Sequence, residues 1–174
     1  VDVLTYLGEF TRNAISHGLT VQAQQSMVKI APGIDVEHFL PTDASALRKS
    51  LGLTEKKVIV SVGRLVHRKG QDRLIEAMPE ILKTVSNAHL LLVGEGPHRD
   101  HLQKLIQKHR LEGSVTLIGR IDYKDLPLYI CVGDVFAMPS RSRLMGLEVE
   151  GLGIVYLEAS ACGLPVLAGN SGGA

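Results

Sequence analysis

A chain of 174 residues with 45% hydrophobic and 21% charged side chains has the makeup of a globular domain, not of a disordered segment. Nineteen Lys and Arg against eighteen Asp and Glu leave a formal charge of +1, which gives no support to a surface-wide polyanion binder. Aromatics at 4% and the absence of Trp weigh against a single-strand stacking platform, so no nucleic-acid partner is expected.

Along the chain, Val3, Leu4, Leu7, Phe10 and Ile15 recur at roughly helical spacing behind Asp2, which predicts a helix from Asp2 to about His17. Met27-Val28-Lys29-Ile30 predicts a short strand, Pro32-Gly33-Ile34-Asp35 a turn, and Ala44–Leu51 a short helix. The pattern then becomes regular. Strands are expected at Val58–Val62, His89–Val93, Val115–Ile118, Val135–Met138 and Pro165–Ala168. Between them, helices are expected through Leu74–Val85, around Leu102, Leu105 and Ile106, near Asp125–Val132 and over about Ile154–Cys162. Residues 140–153, punctuated by glycine, read as a loop.

Five short apolar strands alternating with helices predict an α/β fold: a Rossmann-like parallel sheet with helices on both faces. Ligands of such sheets sit beyond the carboxyl ends of the strands, here after Val62, Val93, Ile118, Met138 and Ala168. Cys131 and Cys162 lie far apart and form no CxxC, as small buried thiols of a reduced compartment do. No secretory signal opens the chain, and no apolar run approaches the roughly 20 residues of a membrane span. A soluble intracellular domain is therefore the expectation, with both ends looking cut.

Three stretches carry chemistry. Gly63-Arg64-Leu65-Val66-His67-Arg68-Lys69-Gly70 places three formal positive charges at a strand's carboxyl end, where they suit a phosphate or form a solvated basic turn. It is not a Walker loop. Gly94-Glu95-Gly96-Pro97 is a poor dinucleotide fingerprint, because Arg99 stands where a third glycine belongs, and reads as a tight turn before a helix. In the third, Glu150 and Glu158 have seven residues between them, with Gly151 and Gly153 at the start of a helix. Glycines there let a ligand approach free backbone N–H groups. Glu158 sits in a largely apolar helix and needs a partner, for which sugar or ribose hydroxyls are good donors. His98 and His101 lack a third clear ligand and read as helix surface, so no metal site is expected.

These residues resemble the retaining glycosyltransferases of family 4, which have the GT-B fold. The likeness rests on the E-x7-E pair Glu150 and Glu158, and on Gly63-Arg64-Leu65 with Lys69-Gly70. It extends to Pro32-Gly33-Ile34-Asp35 through Phe39, to Gly94-Glu95-Gly96-Pro97 and to Ser171-Gly172-Gly173. The insertion from Ser140-Arg141-Ser142-Arg143 through Gly146-Leu147-Glu148-Val149-Glu150-Gly151 looks most like GDP-mannose-dependent phosphatidylinositol mannosyltransferases.

The resemblance implies two Rossmann-like domains around a cleft. Residues 1–25 would be the tail of an amino-terminal acceptor domain, and 26–174 a nucleotide-sugar-binding domain truncated at its carboxyl end. Arg64 and Lys69 would hold the donor diphosphate, Glu150 the transferred sugar and Glu158 the ribose. Ile121 would meet the base through its backbone, and Gly151 and Gly153 would bring amides to sugar and phosphate. Arg64, Lys69 and Glu150 would be the catalytic set. The implied reaction moves a hexosyl group, mannosyl from GDP-mannose, to a lipid-linked or glycan acceptor with retained configuration and no metal cofactor. Its implied location is cytoplasmic, with the inner face of the membrane and peripheral association of the whole enzyme as one option. A UDP-sugar donor and a non-catalytic nucleotide-sugar-binding module stay open as alternatives. Without the acceptor domain, the chain is expected to be inactive alone.

Overall fold

A computed structural model describes residues 2–174. In chain order the elements begin with β1 (Leu4–Tyr6), α1 (Glu9–Ser16), α2 (Val21–Gln25) and β2 (Met27–Lys29). There follow α3 (Ser45–Ser50), β3 (Lys57–Val62), α4 (Gln71–Thr84), β4 (Ala88–Val93), α5 (Arg99–Lys108) and β5 (Val115–Gly119). The last are α6 (Leu126–Cys131), β6 (Val135–Met138), α7 (Ile154–Ala161) and β7 (Val166–Ala168).

The expected helix from Asp2 is corrected. Leu4–Tyr6 is a strand paired in parallel with β2, Leu4 opposite Met27, and the helix starts only at Glu9. Extended backbone at Gly8 separates the two. The apolar residues at helical spacing thus belong to two elements, and the strand is selected by a distant partner. Thr20, whose hydroxyl accepts from the Ala23 N–H at 3.3 Å, caps the additional helix α2.

The main sheet has the order β5-β4-β3-β6-β7, and every neighbouring pair is parallel. Its interior strands are largely apolar because both faces are covered, whereas Leu167 on the edge strand β7 is exposed. In β4 the alternation of side chains sends Leu91 and Val93 into one core and Leu90 and Leu92 into the other, all essentially without solvent contact. Phe39, Val58, Val60, Phe136 and Tyr156 fill the first core. Leu65, Ile75, Met78, Leu102 and Ala137 belong to the second.

This strand order creates the site. The chain runs outward from β3 to β4 and β5, then returns through β6 to the other side of β3. The connections leaving β3 and β6 therefore diverge, and a crevice opens between them at the carboxyl ends.

Candidate functional site

A cleft of about 500 Å³ lies at that crevice. Val62, Gly63 and Lys69 line it from the β3 side, and Glu150 through Val155 with Glu158 from the α7 side. Leu7, between β1 and α1, closes one edge.

Lys69 is aimed by a tight turn. His67–Lys69 forms a single 3-10 turn that ends at Gly70, whose φ of 77° lies in the left-handed region. A side chain at Gly70 would also strike the Pro139 carbonyl, so only glycine serves there. The Lys69 Nζ donates to Glu150 Oε2 at 2.6 Å, and Arg68 Nη1 donates to the same oxygen at 3.0 Å. Glu150 is only 7% exposed. Ser140 Oγ gives its carboxylate a third donor at 3.3 Å. The Glu150 backbone is pinned as well: its N–H donates to Ser171 Oγ at 3.2 Å, and its carbonyl accepts from the Gly173 N–H at 2.8 Å. Glu150 Oε1 makes no hydrogen bond to protein among the described residues.

Behind Ser140 stands Tyr156, whose hydroxyl donates to the Met138 carbonyl at 2.9 Å and lies 3.2 Å from Ser140 Oγ. Its ring fills the space where a side chain at position 153 would be, and Gly153 has φ 72°. Gly153 thus lets the chain turn into α7 over the ring, and α7 starts with no side-chain cap. Its first N–H groups are left for an anion at the cleft.

The insertion loop is strapped to the Lys69 turn. Arg141 binds Asp72 through two hydrogen bonds of 2.9 and 2.7 Å, and its N–H donates to the Arg68 carbonyl at 2.8 Å. Burial pushes the Asp72 carboxyl up, but the Arg141 hydrogen bonds and charge outweigh it and hold the group below the ordinary carboxylate range. Further out, Arg143 and Glu148 close the loop by an ion pair of 2.7 Å, with Leu144 and Met145 exposed at its tip.

The structure therefore brings together Lys69, Glu150, Gly151, Gly153 and Glu158. Arg64 follows β3 directly, is exposed, and lies outside the cleft lining. Ile121 packs against the first core, also outside that lining. Sequence reasoning missed Arg68, Ser140, Tyr156 and Ser171. Arg68 carried a signal as one of the three charges of the basic turn, and Ser140 and Ser171 stood inside stretches that carry the family resemblance, but sequence alone assigns none of them a role. Tyr156 carried no signal.

The reading of His98 as helix surface is corrected. The residue is 6% exposed, and its ring centroid lies 3.6 Å from that of His67 and 4.5 Å from that of His101. Burial, reinforced by the two neighbouring imidazoles, pushes its pKa down. His101 and Arg99 are exposed, as expected. No cluster of three or more metal-ligating side chains suited to an ion occurs among the described residues. Cys131 and Cys162 are free thiols, and burial with the adjacent Cys131 pushes Cys162 up to about 12.

Glu158 is half-buried and makes no side-chain hydrogen bond among the described residues. Burial raises its pKa, with His38 opposing the rise. A carboxyl raised in the folded state binds more protons there than in the unfolded chain, so stability falls as pH rises from the ordinary value through the raised one. Glu158→Gln should therefore raise the Tm at pH 7 and lose that advantage below the ordinary carboxylate pKa, as thermal melts across pH will show.

The sequence profile of the family described as glycosyl transferases group 1 matches residues 43–174. The GDP-mannose-dependent alpha-(1-6)-phosphatidylinositol monomannoside mannosyltransferase of Mycobacterium tuberculosis is 44% identical over 99% of this chain and 45% of its own length. A Corynebacterium glutamicum enzyme, named as acting on the monoacylated form, is 43% identical over 100% of the chain and 46% of its own. This chain thus spans about half the length of these curated relatives. Among solved structures, Anabaena HepE in complex with UDP superimposes with a TM-score of 0.83 at 26% identity, over 99% of this chain and 46% of that one. Sucrose-phosphate synthase from Thermosynechococcus elongatus gives 0.80 at 30% identity, over 99% and 42%. The fold is the Rossmann-like half of the GT-B architecture, and the chain belongs to the glycosyl transferases group 1 family.

Proposed function

We propose that this chain is the donor-binding part of a retaining mannosyltransferase that takes its sugar from GDP-mannose and passes it to a lipid-linked or glycan acceptor held by a second domain. The observation that carries this reading is the convergence of Lys69 and Arg68 on Glu150 beside the uncapped start of α7. Two cations and free helix amides suit a diphosphate, while two carboxylates suit the hydroxyls of sugar and ribose. The relatives named GDP-mannose-dependent support the donor, and the UDP complexes of the structural neighbour keep a uridine donor as the second reading.

In this mechanism the diphosphate gains charge as the glycosidic bond breaks. Lys69 in the cleft and Arg64 on the adjoining turn are assigned that charge, and two cations of this kind can do the work of a divalent ion. Glu150 orients the sugar, Glu158 the ribose, and Ile121 the base. The acceptor hydroxyl adds on the face from which the diphosphate departs and gives its proton to the leaving phosphate oxygen, so configuration is retained.

Calorimetric titration in EDTA should show GDP binding more tightly than UDP or ADP. Tighter UDP binding would remove the mannose assignment, and binding only on adding magnesium or manganese would remove the metal-free one. Steady-state kinetics of the whole enzyme will separate the roles. Lys69→Ala should lower kcat by roughly 10²–10³, the scale for losing one donor to developing charge. Arg64→Ala should behave alike and Arg99→Ala do little. Glu158→Ala should act chiefly on the donor KM, because ribose contacts do not change during transfer. A normal kcat in Lys69→Ala would contradict its leaving-group role, and a binding module without transfer would show no turnover in any variant.

A further inference from the structure

The two cations suited to a diphosphate are already engaged. Lys69 Nζ and Arg68 Nη1 both donate to Glu150 Oε2, at 2.6 and 3.0 Å, and that carboxylate is nearly buried. Ser140 donates to the same oxygen at 3.3 Å, and the Glu150 backbone is held by Ser171 and Gly173, so swinging the carboxylate aside would give up three hydrogen bonds. Any diphosphate that enters must share Lys69 and Arg68 with a resident negative charge.

We propose that Glu150 is a built-in competitor for the diphosphate, and that it makes the site prefer a nucleoside diphosphate carrying its sugar over the free nucleoside diphosphate. This rests on the donor-site reading above. A free diphosphate carries an additional negative charge on its terminal phosphate, at the end where the sugar had been attached. That charge competes with the Glu150 carboxylate for the same two cations, and like charges at close range in a partly buried cleft repel strongly. In the sugar-bearing donor the terminal phosphate is esterified, and a sugar hydroxyl can donate to Oε1, the oxygen without a protein partner. The same carboxylate therefore penalises the spent nucleotide and accepts the loaded one. Weak retention of the spent nucleotide favours its release, a step that often limits turnover. Arg68 acquires a role in this arrangement: together with Lys69 it pairs with Glu150 in the empty site and is freed when the diphosphate arrives.

The test titrates the wild-type chain and Glu150→Gln with GDP and with GDP-mannose. The variant keeps the size of the side chain and removes its charge. GDP should bind Glu150→Gln about tenfold more tightly than wild type, while GDP-mannose binds it no more tightly or more weakly. Unchanged or weaker GDP binding would overturn the proposal with the donor site intact, as would equal tightening of both ligands. If neither ligand binds either protein, the donor-site reading itself fails. Should Glu150→Gln not fold, the carboxyl carbon resonance of Glu150 in the wild-type chain decides. It should move when GDP draws Lys69 away, and a stationary resonance under GDP saturation would overturn the competition.

Discussion

Everything at this site depends on keeping one carboxylate almost out of water. A buried charge is tolerated only when paired and hydrogen-bonded, and removing one partner of such a pair typically costs about 3–5 kcal/mol. Glu150 meets the requirement with Lys69, Arg68 and Ser140. Those three partners come from the turn after β3 and from the residues just past β6, while Glu150 itself leads into α7. One carboxylate thus ties together the connections that the strand order forces apart. The Arg141–Asp72 pair repeats the device a few ångströms away, between the insertion loop and the first turn of α4.

The same features that satisfy the site when empty suit it to a ligand. The glycine turns at Gly70 and Gly153 bring main chain close to the crevice, and no side chain covers the start of α7. Glu158 shows the other side of that design. It is half-buried with no hydrogen-bonding partner among the described residues, so the fold bears a cost that only a ligand can offset. Functional positions of this kind are where stability is ordinarily given up.

Much of this was legible in the sequence. The five main strands are short, largely apolar runs bounded by glycine or proline, and in the interior strands burial on both faces erases any alternation that could mislead. The spacing of Glu150 and Glu158, with glycines between them, pointed to the cleft without any coordinates. What escaped was set by distant contacts. Leu4–Tyr6 is a strand because Met27–Lys29 lies beside it, and nothing within residues 2–17 says so. His98 is buried because His67, from another turn, covers it. Ser140, Tyr156 and Ser171 serve Glu150 through hydroxyls whose roles depend on contacts across the fold, even where, as at Ser171, the stretch itself resembles a family element. Arg68 and Arg64 are equally basic in sequence, and only the 3-10 turn decides which of them reaches Glu150 in the empty site.

The central claim is that the crevice between β3 and β6 is the nucleotide-diphosphate site. Backbone amide shifts of the labelled chain, followed by NMR as GDP is added, test it most directly. The largest changes should fall on Gly63 to Gly70 and on Gly151 to Val155, the two segments that flank the Glu150 carboxylate. Saturable binding whose shifts gather at the opposite end of the sheet, around Lys57, Ala88 and Asp134, would contradict it.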